Sequence, residues 1–176
     1  MNTAKFCWLV LGLFSLVSFS TPNRIETLIR KEIRSVLKLE SYTKETVLIP
    51  EQLAQELPDS GLKEQLYTIV QQEEIKGYYF LGKAFGKADF FDFMVIFGPD
   101  LDILKVKILV YRESHGGEIA SRRWLRQFRG VLPLQPFSYP KDIAAISGAT
   151  ISARSLTKSI NQLLETMTLL RQNKVI

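Results

Sequence analysis

A chain of 176 residues, 46% hydrophobic and 23% charged, has room for one domain with a hydrophobic core of its own. Its net charge of +5 suits an anionic membrane surface or ligand, but the basic residues are scattered and no zinc-finger, helix-turn-helix or RNP pattern occurs, which argues against a nucleic-acid partner. One cysteine and one histidine exclude a disulfide, an iron–sulfur cluster and a His-rich metal site, so any redox chemistry has to come from an organic cofactor.

Residues 1–20 read as an export signal, with an uncleaved N-terminal anchor as the alternative. Lys5 is the only charge there, an apolar run extends from Phe6 to Phe19, and Ser18-Phe19-Ser20 places small residues where a signal peptidase cuts. The run is short for a membrane span, which takes about 20 apolar residues. Cys7 lies inside this segment and lacks a lipobox before it, so cleavage leaves a mature chain without cysteine. Thr21 to Glu40 has the spacing of an amphipathic helix, with Ile25, Leu28, Ile29, Ile33, Val36 and Leu37 on one stripe and Arg24, Arg30, Lys31, Arg34 and Lys38 opposite. Thr21 or Asn23 is placed to cap it. Packing on the domain is the plain reading of this helix, and contact with lipid is the alternative.

Ser41 to Pro50 reads as a short strand or loop, and Glu51 to Leu57 as a helical turn stopped at Pro58-Asp59-Ser60-Gly61. Leu62 to Glu74 is expected to be a further helix, with Leu62, Leu66, Ile69 and Val70 on one side. From Tyr78 the period changes to two. Tyr78–Phe85, Ala88–Phe97 and Ile103–Arg112 are rich in aromatic and β-branched residues, and Gly86-Lys87 and Gly98-Pro99-Asp100 separate them as turns. An antiparallel meander follows, in which Leu104, Val106, Ile108 and Val110 supply one buried face. Ser114 to Gly117 is a loop and Ile119 to Phe128 a short helix. Val131 to Lys141 contains three prolines and reads as an extended connector. Asp142 to Ile146 is expected to be a short strand. Ile151 to Gln172 is the last helix, with Ala153, Leu156, Ile160, Leu163, Leu164, Met167 and Leu170 as its core stripe. The predicted organisation is an export signal over 1–20, an N-terminal helical region over 21–75 and one domain over 76–172. Its predicted fold class is α+β, a twisted, mainly antiparallel sheet packed with helices.

Chemistry concentrates between that strand and the last helix, at Ser147-Gly148-Ala149-Thr150-Ile151-Ser152-Ala153-Arg154. A tight turn of small residues leading into a hydroxyl-rich helix start suits a phosphate, because the first helical turn leaves unpaired N–H groups and a partial positive charge. Gly148 and Ala149 allow close approach, Thr150 presents a hydroxyl, and Arg154 stands one turn further on. The residues alone fit two readings: a phosphate site, or a helix whose cap is Thr150 or Ser152. Ser155-Leu156-Thr157-Lys158 matches the Ser-x-x-Lys pair of penicillin-interacting enzymes, but their Ser-Asp-Asn and Lys-Thr-Gly motifs are missing, so it reads as a chance match.

Ser147-Gly148-Ala149-Thr150 resembles the covalent flavinylation motif of the FMN-binding domain family, which includes the C subunit of sodium-translocating NADH:quinone reductase and the G subunit of the Rnf complex. The resemblance runs over roughly 78–170. It takes in Val110 to Ile119, similar to the strand and loop in which relatives carry a His-Glu-Thr-Pro-Gly-like segment beside the flavin and which here reads Glu113-Ser114-His115-Gly116-Gly117, and Trp124 to Gly130, similar to a helix end before the family's connector. It implies FMN esterified through its phosphate to Thr150 by a separate flavin transferase that uses FAD outside the cytoplasm, with a membrane-associated redox partner. His115, Gly116, Gly117 and Trp124 are then candidate neighbours of the flavin ring; the alternatives are a surface-loop histidine and a core tryptophan. The expected function is extracytoplasmic electron transfer by one covalent FMN, at the periplasmic or outer face of the membrane. Two alternatives stand beside it: a secreted module that holds a flavin or other phosphate ligand noncovalently, and a flavin-dependent terminal reductase.

Overall fold

The computed structural model describes residues 24–58, 65–130 and 136–176. The export signal, the caps at Thr21 and Asn23, the stop at 59–61 and the first part of the connector lie outside them. Helix α1 (Arg24–Leu37) precedes strand β1 (Thr43–Thr46) and the short helix α2 (Glu51–Glu56). Strands β2 (Leu66–Gln71), β3 (Glu74–Phe85), β4 (Phe90–Phe97) and β5 (Ile103–Val110) follow. After a 3-10 turn at Gly117–Ala120 come α3 (Arg122–Leu125), a second 3-10 turn at Arg126–Phe128, and the long helix α4 (Thr150–Gln172). The five strands form one antiparallel meander in chain order. The fold is α+β, as the alternation and the helical periods require.

Of the expected helix over Leu62–Glu74, the described residues form a strand and a turn instead. Leu66 to Gln71 pairs with β3, Leu66 opposite Phe80 and Tyr67 opposite Tyr79. Gln72 and Glu73 both take positive φ, 53° and 63°, the geometry of a two-residue type I′ hairpin. Cross-strand stacking of Tyr67 on Tyr79, ring centroids 4.7 Å apart, supports this register. A run containing Tyr67, Thr68, Ile69 and Val70 packs better as a pleated strand than against the preceding turn of a helix.

The sheet buries both faces. On one face Phe80, Phe93, Val95 and Val106 meet Leu156, Ile160, Leu163 and Met167 of α4. On the other, Ile69, Tyr79, Met94 and Ile96 meet Ile33 and Leu39 around α1. Val106 and Ile108 are buried as the alternation of β5 predicts, whereas Leu104 and Val110 are half-buried.

Alpha helix 1 is also fastened by charge. Glu32, with a side chain 12% exposed, accepts from Lys105 and lies 3.6 Å from Lys107. Burial pushes its carboxyl up, but the Lys105 hydrogen bond and the two ammonium charges outweigh that and hold it below the usual carboxylate range. A carboxyl depressed in the folded state stabilises fully above its unfolded value and loses that contribution as pH falls through the folded one. Urea midpoints of the native chain and Glu32→Gln should therefore differ at neutral pH and converge below the carboxylate range. A constant gap down to strong acid would contradict this.

Candidate functional site

The loops at one end of the sheet enclose the start of α4. Beyond β5, the Tyr111 ring packs edge-on against Phe91, centroids 5.6 Å apart, and its hydroxyl lies 3.1 Å from Ser152 Oγ. Glu113 accepts from the backbone N–H groups of Ala88 at 2.7 Å and Asp89 at 3.3 Å, so the loop after β5 is tied to the β3–β4 turn. The Ala88 bond leads among the causes that hold its carboxyl below the usual range. The Phe85 N–H donates to Ser155 Oγ at 3.1 Å and anchors β3 to the first turns of α4.

Gly116 brings this loop onto the turn before α4. Its φ is 79°, and a Cβ there would stand 2.8 Å from Ala149 Cβ and 2.9 Å from Gly148 O. Gly116→Ala should cost about 2 kcal/mol or more, since left-handed backbone and overpacking both oppose it. Urea unfolding measures that cost, and flavin loading should fall with it; an unchanged midpoint would show that the two loops do not depend on this contact.

The turn itself runs from Ile146 to Ala149. The Ala149 N–H donates to Ile146 O at 3.1 Å, and Gly148 at its third position has φ 78°, as a type II turn requires. Ser147 and Gly148 are exposed and Ala149 is buried. Helix α4 begins at Thr150 with Ala149 as N-cap, and an alanine side chain caps nothing. The first i−4 bond of the helix is Ala153 N–H to Ala149 O, 2.9 Å, so the N–H groups of Thr150, Ile151 and Ser152 lie before it and have no acceptor within the helix. The capping alternative does not hold. Thr150 is inside the helix, exposed, its hydroxyl donating to Ile146 O at 3.2 Å. Ser152 is 3% exposed and its hydroxyl meets Tyr111.

Asp142 to Ile146 is not a strand. Trp124 Nε1 donates to Ala144 O at 2.7 Å, while Gln127 Oε1 accepts from the Ala144 N–H at 2.8 Å. These two side chains satisfy the backbone that a neighbouring strand would otherwise pair. Trp124 is 7% exposed and packs edge-on against Phe128, so it braces the approach to the turn from within the core. Arg154 is exposed, its guanidinium 5.8 Å from the centre of the Tyr139 ring. His115 and Gly117 are exposed on either side of Gly116. The structure thus joins Ser147 to Thr150 with Gly116, places Trp124 behind them, and turns Arg154 towards Tyr139. Tyr111, Glu113 and Gln127 were not singled out in the sequence. Tyr111 and Glu113 stood in the stretch that resembles the family's strand and loop, with no role of their own, and nothing local marks the reach of Gln127.

Residues 86–165, from the β3–β4 turn into α4, match the model of the FMN-binding domain family. This stretch of the chain is an FMN-binding domain. No curated protein matches the chain. The protein is accordingly a flavin-binding protein with FMN as its cofactor.

The residues present fit the phosphate end of FMN. Backbone N–H groups at the uncapped start of α4, the Thr150 hydroxyl and the positive end of a 23-residue helix form a donor set for an anion. Apart from the adjoining residues, no heavy atom lies within 4 Å of where a Cβ would stand at Gly148 or Gly117, which leaves room for close approach to that backbone.

Proposed function

We propose that Thr150 carries FMN through a phosphoester, and that the protein passes electrons outside the cytoplasmic membrane. The observation that carries this reading is the position of Thr150: an exposed hydroxyl on the first residue of an uncapped helix, inside the FMN-binding domain. In attachment, Thr150 Oγ1 forms a bond to the FMN phosphorus of FAD, the pyrophosphate bond breaks, AMP leaves, and the hydroxyl proton passes to solvent or to a transferase base. Before attack the hydroxyl gives up its bond to Ile146 O. The helix-start N–H groups would hold the phosphate oxygens, with the Gly116 contact keeping the turn in place.

When bound, FMN supplies one- or two-electron redox chemistry. This chain's part is to hold the phosphate, to seat the ring near the 114–117 loop, and to keep the cofactor from diffusing away. The apolar run Phe6–Phe19 ahead of α1 supports export, where a flavin transferase and a membrane-associated redox partner would meet the protein.

Coexpression with a flavin transferase, followed by denaturing electrophoresis, tests the attachment. A fluorescent band is expected; a dark band, with the transferase active on a known substrate, would leave noncovalent binding as the function. For the flavin-loaded protein, slow reoxidation by every small acceptor tried supports a carrier. Fast, specific reoxidation by one acceptor would make it a terminal reductase.

A further inference from the structure

Basic residues that are scattered in the sequence are gathered by the fold around one groove of about 600 Å³ along β5, the edge strand of the sheet, lined by residues from the end of α1 and from the segment around α3. Lys38 follows α1, Lys105 and Lys107 stand on β5, and Arg122, Arg126 and Arg129 complete the rim. The three arginines line the same groove while Trp124, Leu125 and Phe128, which lie between them in the sequence, are buried in the core. Two of these cations, Lys105 and Lys107, are paired with a carboxylate. Glu32 accepts from Lys105 and lies 3.6 Å from Lys107. None of the ion pairs among the described residues includes Lys38, Arg122, Arg126 or Arg129. The apolar part of the lining is half-buried Val36 and Leu104, with the edges of buried Val106 and Leu125.

An excess of positive charge in a concave surface focuses potential on an anion, and guanidinium groups suit phosphate oxygens. An apolar part of the same lining selects an anion with hydrocarbon attached. We propose that this groove seats the headgroup of an anionic phospholipid, with its phosphate against the arginines and its first acyl carbons against the apolar lining. Continuity with α1 favours lipid over a free organophosphate. Arg24, Lys31 and Ser35 fall on one stripe of that helix, Ser35 and Lys38 just beyond its end line the groove, and in the sequence the apolar run Phe6–Phe19 ends a few residues before α1. The groove is apart from the start of α4, so the proposal stands whether or not Thr150 carries flavin.

The test is calorimetric titration of the full-length, flavin-free chain with dioctanoyl phosphatidylglycerol below its micelle concentration. Dioctanoyl phosphatidylcholine and inorganic pyrophosphate are titrated in parallel. The anionic lipid should bind at least tenfold more tightly than the other two and weaken as salt rises. The combined Arg122→Gln, Arg126→Gln, Arg129→Gln variant should lose that preference while its thermal unfolding is unchanged. Should it not fold, Arg122→Gln and Arg129→Gln singly should each lower the preference and Arg126→Lys retain it. Equal binding of the two lipids, pyrophosphate binding as tight as the anionic lipid, or variants that keep the preference would overturn the proposal.

Discussion

Thr150→Val should abolish flavin that survives denaturation, and Thr150→Ser should keep it. Valine preserves the shape and β-branching of threonine at the first helical position and removes only the hydroxyl, so the fold has little reason to change. The lost bond to Ile146 O lies at a half-open site and is worth about 1 kcal/mol at most. Serine retains an oxygen one bond from the same Cβ. Denaturing electrophoresis of chains coexpressed with the transferase separates the cases: fluorescence should vanish for valine and persist for serine. Persistent fluorescence in the valine variant would place the linkage on another residue, with exposed Ser147 the nearest alternative hydroxyl.

Trp124→Ala has the largest expected effect on stability. The indole is 7% exposed, packs on Phe128, and donates to Ala144 O. Truncating a buried tryptophan costs about 3–5 kcal/mol, which for a chain of this size lowers the melting temperature by about 10 °C. Because Ala144 lies just before the Ile146–Ala149 turn, the same change should loosen the start of α4. Trp124→Phe separates the two contributions: it keeps most of the apolar contact and deletes the N–H. It should cost less in melting temperature than alanine yet still lower flavin loading. Loading equal to the native chain in both variants would mean that the Ala144 tether does not position the turn.

The sheet and α4 were legible because their periods are local. Alternation in β5 and the recurrence of Leu156, Ile160, Leu163 and Met167 each report a buried face without reference to distant residues. Strand β2 was not legible. Its hairpin turns on Gln72 and Glu73, residues with no turn signal, and only pairing with β3 forces them into positive φ. Asp142 to Ile146 failed for a similar reason: the groups that pair its backbone come from Trp124 and Gln127, far back in the chain. At the site, the need for glycine at position 148 is written in the turn. The fit of Gly116 against Ala149 is a contact between loops that no short window contains. The absent cap at Ala149 could not be read either, because the sequence offers two hydroxyls nearby and only the structure shows where the helix starts.

Intact mass of the protein after coexpression with a flavin transferase, with the modified peptide sequenced, tests the Thr150 linkage most directly. The expected result is a gain of one FMN less one water on the peptide that holds Thr150. An unmodified mass beside a fully modified control substrate, or the same gain on a peptide without Thr150, would contradict it.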